Sequence, residues 1–387
     1  MVAIHRLLLM WLSVECLLTC CLSGFSIGAC SPNTDKKNVH SSDTQKDFTP
    51  EAETSFVEDD TLRDTETVAI VSTERGSDSI VDVNEPFIQK PDNCEHPEVI
   101  ESCDNGWCRI APGCFLYGTP PSEGCRAAGS EEQVYITLTH PFVIAQTEVT
   151  QEQWEAAGFS NPSFPPQCSD CPVSMVNWFE ALAYCNALSA GEGLEKCYGL
   201  SCCEGAVGEG CEEGKIGCSD GYQCNCEVNR FENRYECPGY RLPTVAEWEY
   251  AAKAGTQTDT YIGDALVGEV DTCEPDPVVD RVAWACSNTK HAMPVALKEK
   301  NGWGLYDMLG NVVEWASDPY LNTAYGKGAS HLIDPYGFID GEAVNRPLRG
   351  CNFECPTRCV RSAFNLALSD FSKIKFAGLR PVRTLFE

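Results

Sequence analysis

Basic residues are scarce in this chain. Its 387 residues carry 28 Lys and Arg against 57 Asp and Glu, a formal charge of −29. A nucleic-acid partner needs clustered cations to displace the counterions of phosphates, and no such cluster occurs. Long apolar runs are scarce as well: beyond Ile27 none is long enough to span a bilayer. Histidine is sparse, and His96, His140, His291 and His331 are scattered rather than grouped.

Cysteine, by contrast, is abundant. Twenty-five cysteines imply an oxidising compartment, because a reducing cytosol would hold them as thiols. The N-terminus agrees, with a short basic start, Met1 to Arg6, and then an apolar stretch from about Leu7 to Ile27 interrupted by Glu15. This reads as a signal peptide. It ends Ile27-Gly28-Ala29-Cys30, a lipobox-like run in which Cys30 would carry the lipid and tether the chain to a membrane. Ordinary cleavage near Ala29 is the alternative, with Cys30 in a disulfide. The segment 30–93 is rich in Ser, Thr, Asp and Glu with few aromatics. It buries too little apolar surface to offset its ordering entropy, so a disordered acidic spacer is expected.

A folded region is expected over 94–387. Arg109 to Gly118 reads as strand, turn, strand around Pro112, and Val134 to Leu138 alternates as a half-buried strand does. Pro141 to Val149 is expected to continue that sheet into a helix. Thr150 with Gln153, Asn177 with Glu180 and Thr244 with Glu247 have capping-box spacing. They announce helices, the latter two over Trp178–Ser189 and Val245–Ala254. Leu182, Cys185 and Leu188 fall on one face of the first of these, and Val245, Trp248 and Ala252 on one face of the second. Trp248 and Trp315 suit a core, and Gly302, Gly304 and Gly310 suit turns at positive φ. The expected class is α+β, with short elements and much irregular structure.

From Cys197 to Cys237 the pattern is interrupted by a segment with eight cysteines, many glycines and several acids. Cys224-Asn-Cys226 and Cys202-Cys203 raise metal binding. Yet no histidine accompanies them and no pair of C-x2-C knuckles occurs, which favours a disulfide-knitted insertion. Cys168-Ser-Asp-Cys171 is expected in a disulfide too. Spacing assigns no pairing.

Three stretches carry a resemblance: Tyr240-Arg-Leu-Pro-Thr-Val-Ala-Glu-Trp-Glu-Tyr250, Asn301-Gly-Trp-Gly-Leu-Tyr-Asp-Met-Leu-Gly-Asn-Val-Val-Glu-Trp315 and Leu348-Arg-Gly-Cys-Asn-Phe-Glu-Cys-Pro-Thr-Arg-Cys359. Shorter ones, among them Gln146-Thr-Glu-Val-Thr-Gln-Glu-Gln-Trp154 and Pro172-Val-Ser-Met-Val-Asn-Trp178, fall in the matching order. Together they resemble the sulfatase-modifying factor family, whose founding enzyme is the formylglycine-generating oxidase. The resemblance implies a loop-rich fold related in style to C-type lectins. It also implies calcium held by the side chains of Asp307 and Glu314 and the carbonyls of Gly310 and Val312, a set of hard oxygen donors. Glu314 capping nearby N–H groups without an ion is the alternative. A second calcium site of the oxidase has no counterpart between Trp284 and Pro294.

The oxidase holds copper(I) between two thiolates separated by four residues and converts a cysteine to formylglycine. Soft thiolates suit that ion. Aligned on Gly350, the first position falls on Cys355, but the next cysteine, Cys359, follows after three residues, and Cys351 replaces a glycine. Cys355 and Cys359 are the catalytic candidates. A Cys351–Cys359 or Cys355–Cys359 disulfide is the competing reading. Three functions follow: a surface-tethered binding module for a protein, peptide or glycan, a copper oxidase, and an iron oxygenase. The scattered histidines disfavour the last. The spoiled spacing, the insertion and the lipid anchor favour the first, with the chain exported to the cell envelope.

Overall fold

Helix starts are set by side chains that satisfy the otherwise unpaired N–H groups of the first turn. In the computed structural model all three capping boxes form. Thr150 opens α1 (Gln151–Ala156), Asn177 opens α2 (Trp178–Gly191) and Thr244 opens α3 (Val245–Lys253). A single further turn, α4 (Val279–Val282), has no side-chain cap. The structure describes residues 88–386 except 127–130, 165–166, 212–216, 220, 225–230, 232, 267–271, 321–324, 326–328 and 337–344. The signal stretch, Cys30 and nearly all of the spacer lie outside the described residues.

Short strands surround these helices. One four-stranded sheet runs Cys103–Asp104, Trp107–Ile110, Phe142–Ala145, Val382–Thr384, joining early and late parts of the chain. Another orders Asn365–Ser369, Asn345–Arg349, Val313–Trp315, Ala377–Gly378. A third places Val134–Leu138 between His331–Ile333 and Gly113–Tyr117. The expectation that 141–149 continues the sheet of Val134–Leu138 is corrected here. Thr139 donates its N–H and hydroxyl to Asp334, and the chain turns the corner at Pro141 into the other sheet.

Two apolar clusters fill the interior. One gathers Trp248, Tyr250, Trp303, Ile136 and Phe142 around α3, and the other gathers Trp154, Trp178, Leu182 and Trp315 around α2. A one-sided α2 is not what forms: Trp178 to Asn186 are buried without a break, whereas Leu188 is only half-buried. The insertion accounts for this, because it lies against the helix start. Asn177 Nδ2 donates to the Tyr222 carbonyl, and Glu180 Oε1 accepts from Gly208 N and from Lys373 Nζ, at 2.8 Å in each of the three bonds. The insertion itself is knitted by Cys197–Cys237, Cys203–Cys224 and Cys211–Cys218. Of the three glycines read as positive-φ turns, Gly304 and Gly310 are so and Gly302 is not. A Cβ on Gly302 would stand 2.8 Å from the Val99 side chain, so close approach is what requires glycine there.

Candidate functional site

Two neighbouring loops hold the residues that the sequence singles out. Leu348 and Arg349 end a strand paired with Val313–Trp315, and the chain then passes Gly350 and Cys351 at positive φ. Gly350 packs under the Trp248 ring and accepts from Gly310 N at 2.6 Å, which brings the cysteine loop against the acidic loop.

In the cysteine loop, Cys355 N donates to Asn352 O and folds the chain back, so that Cys355 bonds to Cys351. A 3-10 turn, Thr357–Cys359, then carries Cys359 away from that pair to Cys125. Neither disulfide of the competing reading, Cys351–Cys359 or Cys355–Cys359, is formed, because the backbone turns between Cys355 and Cys359 and points them at different partners. Both are buried. The loop is tied on every side. Cys286 N donates to Cys355 O, Thr357 donates to Thr272 O and Glu274 O, and Arg358 pairs with Glu123 and Asp259. Each sulfur is bonded to another cysteine, Cys355 to Cys351 and Cys359 to Cys125.

The acidic loop is built by its turns. Asn301 accepts from Trp303 N and Leu305 N and donates to Ala251 O and Ala252 O, pinning the loop to α3. Asp307, Gly310 and Asn311 all have positive φ, and a Cβ on Gly310 would meet the Trp284 carbonyl at 2.3 Å. Asp307, Gly310, Val312 and Glu314 are thus gathered in one buried loop, but the two carboxylates differ. Glu314 accepts from Trp248 Nε1 at 2.6 Å and from Arg380 Nε at 2.9 and 3.1 Å, with Arg380 Nη2 2.8 Å away. Its oxygens are committed to an ion pair. Asp307 Oδ2 accepts from Ala296 N at 2.6 Å, whereas Asp307 Oδ1 is buried with no partner. Burial pushes the Asp307 carboxyl up to about 6, against the backbone bond to Ala296 and the Arg380 charge. Of the two carboxylates, Asp307 keeps an oxygen without a hydrogen-bond partner, whereas both Glu314 oxygens accept from Trp248 or Arg380.

Glu148, which the sequence reading passed over, belongs here as well. It ends the strand-to-helix link in Gln146-Thr-Glu-Val-Thr150 and is wholly buried, and its Oε1 has no partner. Burial and the neighbouring Asp307 raise its pKa well above the usual carboxylate range. An acid between apolar strand residues and a capping threonine is the signal that marks it.

The histidines stay apart. His96 lies against Tyr250 and Trp303, His140 stacks on Tyr235, His331 bonds Thr137, and His291 is exposed. Among the described residues one cluster has metal-like spacing, Cys168, Asp170 and Cys171, and its two sulfurs are bonded to each other. Two open cavities flank α2. One, of about 560 Å³, lies under the insertion between Phe159, Lys196, Tyr198 and Tyr222; the other, of about 690 Å³, lies between Trp107, Gln153, Tyr184 and Glu192.

Residues 101–385 match the family model described as the sulfatase-modifying factor enzyme 1-like domain. The chain belongs to this family. It is 35% identical over 189 residues to the chaperone protein LppX of Paenibacillus barcinonensis, covering 46% of this chain and 62% of that protein. To the formylglycine-generating enzyme of Streptomyces coelicolor it is 38% identical over 120 residues, covering 30% of this chain and 37% of the enzyme. The matches thus span less than two thirds of these relatives. Among solved structures, Treponema denticola variable protein 1 superposes with a TM-score of 0.56 at 25% identity, over 72% of this chain and 95% of that one. PvdO from Pseudomonas aeruginosa does so with a TM-score of 0.53 at 19% identity, over 76% and 100%, and shows the shared fold. Family and fold are those the motifs announced.

Proposed function

We propose that this chain is an exported protein, tethered to the cell envelope through Cys30, whose sulfatase-modifying factor domain binds a protein, peptide or glycan and does not oxidise cysteine. One observation carries the reading: the two cysteines nearest the copper positions are committed to separate disulfides, with Cys351 and Cys125. Converting a thiol to an aldehyde with oxygen needs a redox-active ion at that place, and disulfide sulfurs are poor donors to copper(I). The cavity under the insertion, with its aromatic walls and one lysine, is the recognition surface this chain adds to the fold. The relative named as a chaperone and the dense disulfides support an envelope protein that handles other chains.

The test is anaerobic titration of the unreduced protein with copper(I), then incubation with a cysteine-containing sulfatase peptide under oxygen. The expected result is no stoichiometric copper and a peptide that keeps its thiol. Tight one-to-one copper with loss of the peptide thiol would restore the oxidase. Tethering is checked by radiolabelled palmitate: label should enter the wild type and vanish in Cys30→Ala, and an unlabelled wild type ends the anchor.

A further inference from the structure

The cavity between Trp107, Gln153, Tyr184 and Glu192 is walled by the fold itself and not by the insertion. Its groups are held firmly. Trp107 sits on a strand paired with Ala145, and Glu192 caps the end of α2. Trp107 is half-buried: it packs on Tyr240, with ring centres 4.7 Å apart, and it also borders the cavity. Tyr184 lies deeper, only 3% exposed, with its ring stacked 5.5 Å from that of Trp154. Neither the Trp107 indole N–H nor the Tyr184 hydroxyl has a partner among the described residues. Gln153 spends its Oε1 on Thr150 N at the helix cap, and its amide N–H groups are likewise unbonded among them. Polar groups kept in a wall with nothing to bond are unfavourable unless water or a ligand in the cavity answers them.

Charge decides the class of ligand. Among the described residues lining the cavity only Glu192 is charged, and its charge is balanced. Its Oε1 accepts from the Tyr240 hydroxyl at 2.7 Å, and its Oε2 lies 3.4 Å from Arg383 Nη1. An unpaired carboxylate beside an indole would draw a cation. A paired one loses that pull yet still accepts from hydroxyls. The formal charge of −29 opposes an anion. A neutral molecule with one apolar face and several hydroxyls remains. We infer that this cavity binds a neutral hexopyranose unit of a glycan, with its C–H face on Trp107 and its hydroxyls shared among Glu192, Gln153 and Tyr184. An aromatic face offers apolar contact at little entropic cost, and a few convergent polar groups fix orientation. The volume of about 690 Å³ falls within the range of small-ligand sites, about 300–1,000 Å³. The inference goes beyond the reading above, because this site is separate from the cavity under the insertion. It stands however the cysteine loop acts, since no cysteine is among the described lining residues.

The test is calorimetric titration of the full chain with neutral trisaccharides of glucose, galactose, mannose and N-acetylglucosamine. A galacturonic acid trimer and tetramethylammonium chloride serve as charged competitors. At least one neutral sugar should bind, one per chain, with a Kd of about 1 mM or tighter, and neither competitor should displace it. Trp107→Ala should weaken that binding by at least about 10-fold, since the stacking face is lost. Tyr184→Phe should weaken it about five-fold, the effect of one hydrogen bond, with Tm unchanged because the ring still stacks on Trp154. That second readout separates a lost contact from a damaged wall. A folded wild type that binds none of the neutral trisaccharides would overturn the inference. So would displacement by tetramethylammonium or by the acidic trimer. Binding that survives Trp107→Ala and is lost in Lys196→Ala would move the sugar to the cavity under the insertion, and would overturn it too.

Discussion

Replacing both Cys125 and Cys359 with alanine should lower stability by about 5 kcal/mol and Tm by about 10 °C. The bridge closes 234 residues of sequence, the largest separation among the disulfides described, and loop-closure entropy grows with that length. Other bridges inside it, such as Cys197–Cys237 and Cys273–Cys286, shorten the effective loop. The dependence is logarithmic, so they trim the effect only slightly. Removing both partners leaves no stray thiol. The same change should loosen the turn that carries Arg358, whose guanidinium reaches Glu123 and Asp259. Chemical denaturation of wild type and double variant measures the difference. A loss under about 1 kcal/mol would mean that this bridge does not hold the loop.

Arg380→Met should be nearly as damaging, at about 3–5 kcal/mol, because it strands the Glu314 carboxylate in the interior. Arg380 and Glu314 are both buried, and the guanidinium also satisfies the carbonyls of Ala145, Tyr306 and Asp307. The cost arises from the uncompensated charge, since a buried ion pair adds little net stability over an apolar pair. The double variant Arg380→Met/Glu314→Leu should therefore recover part of the loss. Denaturation of the four-member cycle checks this, and equal losses in the single and double variants would contradict the ion-pair account.

The sequence announces what depends on neighbours along the chain. Capping depends on residues three apart, so Thr150, Asn177 and Thr244 mark their helices correctly. Trp248 and Trp315 are buried as expected of the largest apolar side chains, and the ordered motifs place the chain in its family. What depends on distant segments stays hidden. Nothing near Cys359 names Cys125 as its partner, and nothing in Gln146-Thr-Glu-Val149 says that Glu148 is wholly buried. The burial of α2 on several sides follows from the insertion folding back through Tyr222 and Gly208, a contact that local periodicity does not contain. Glu314 is the instructive case: nothing in its motif names Arg380, 66 residues later, as its ion-pair partner.

The account turns on which sulfurs are joined in the loop after Gly350. Digestion of the unreduced, alkylated protein and mass spectrometry of the peptides reads this directly. The account predicts one fragment in which Cys351 and Cys355 are linked internally, joined through Cys359 to the peptide that contains Cys125, with no alkylated Cys355 or Cys359. Recovery of those two cysteines alkylated, as neighbouring thiols in the native protein, would contradict it.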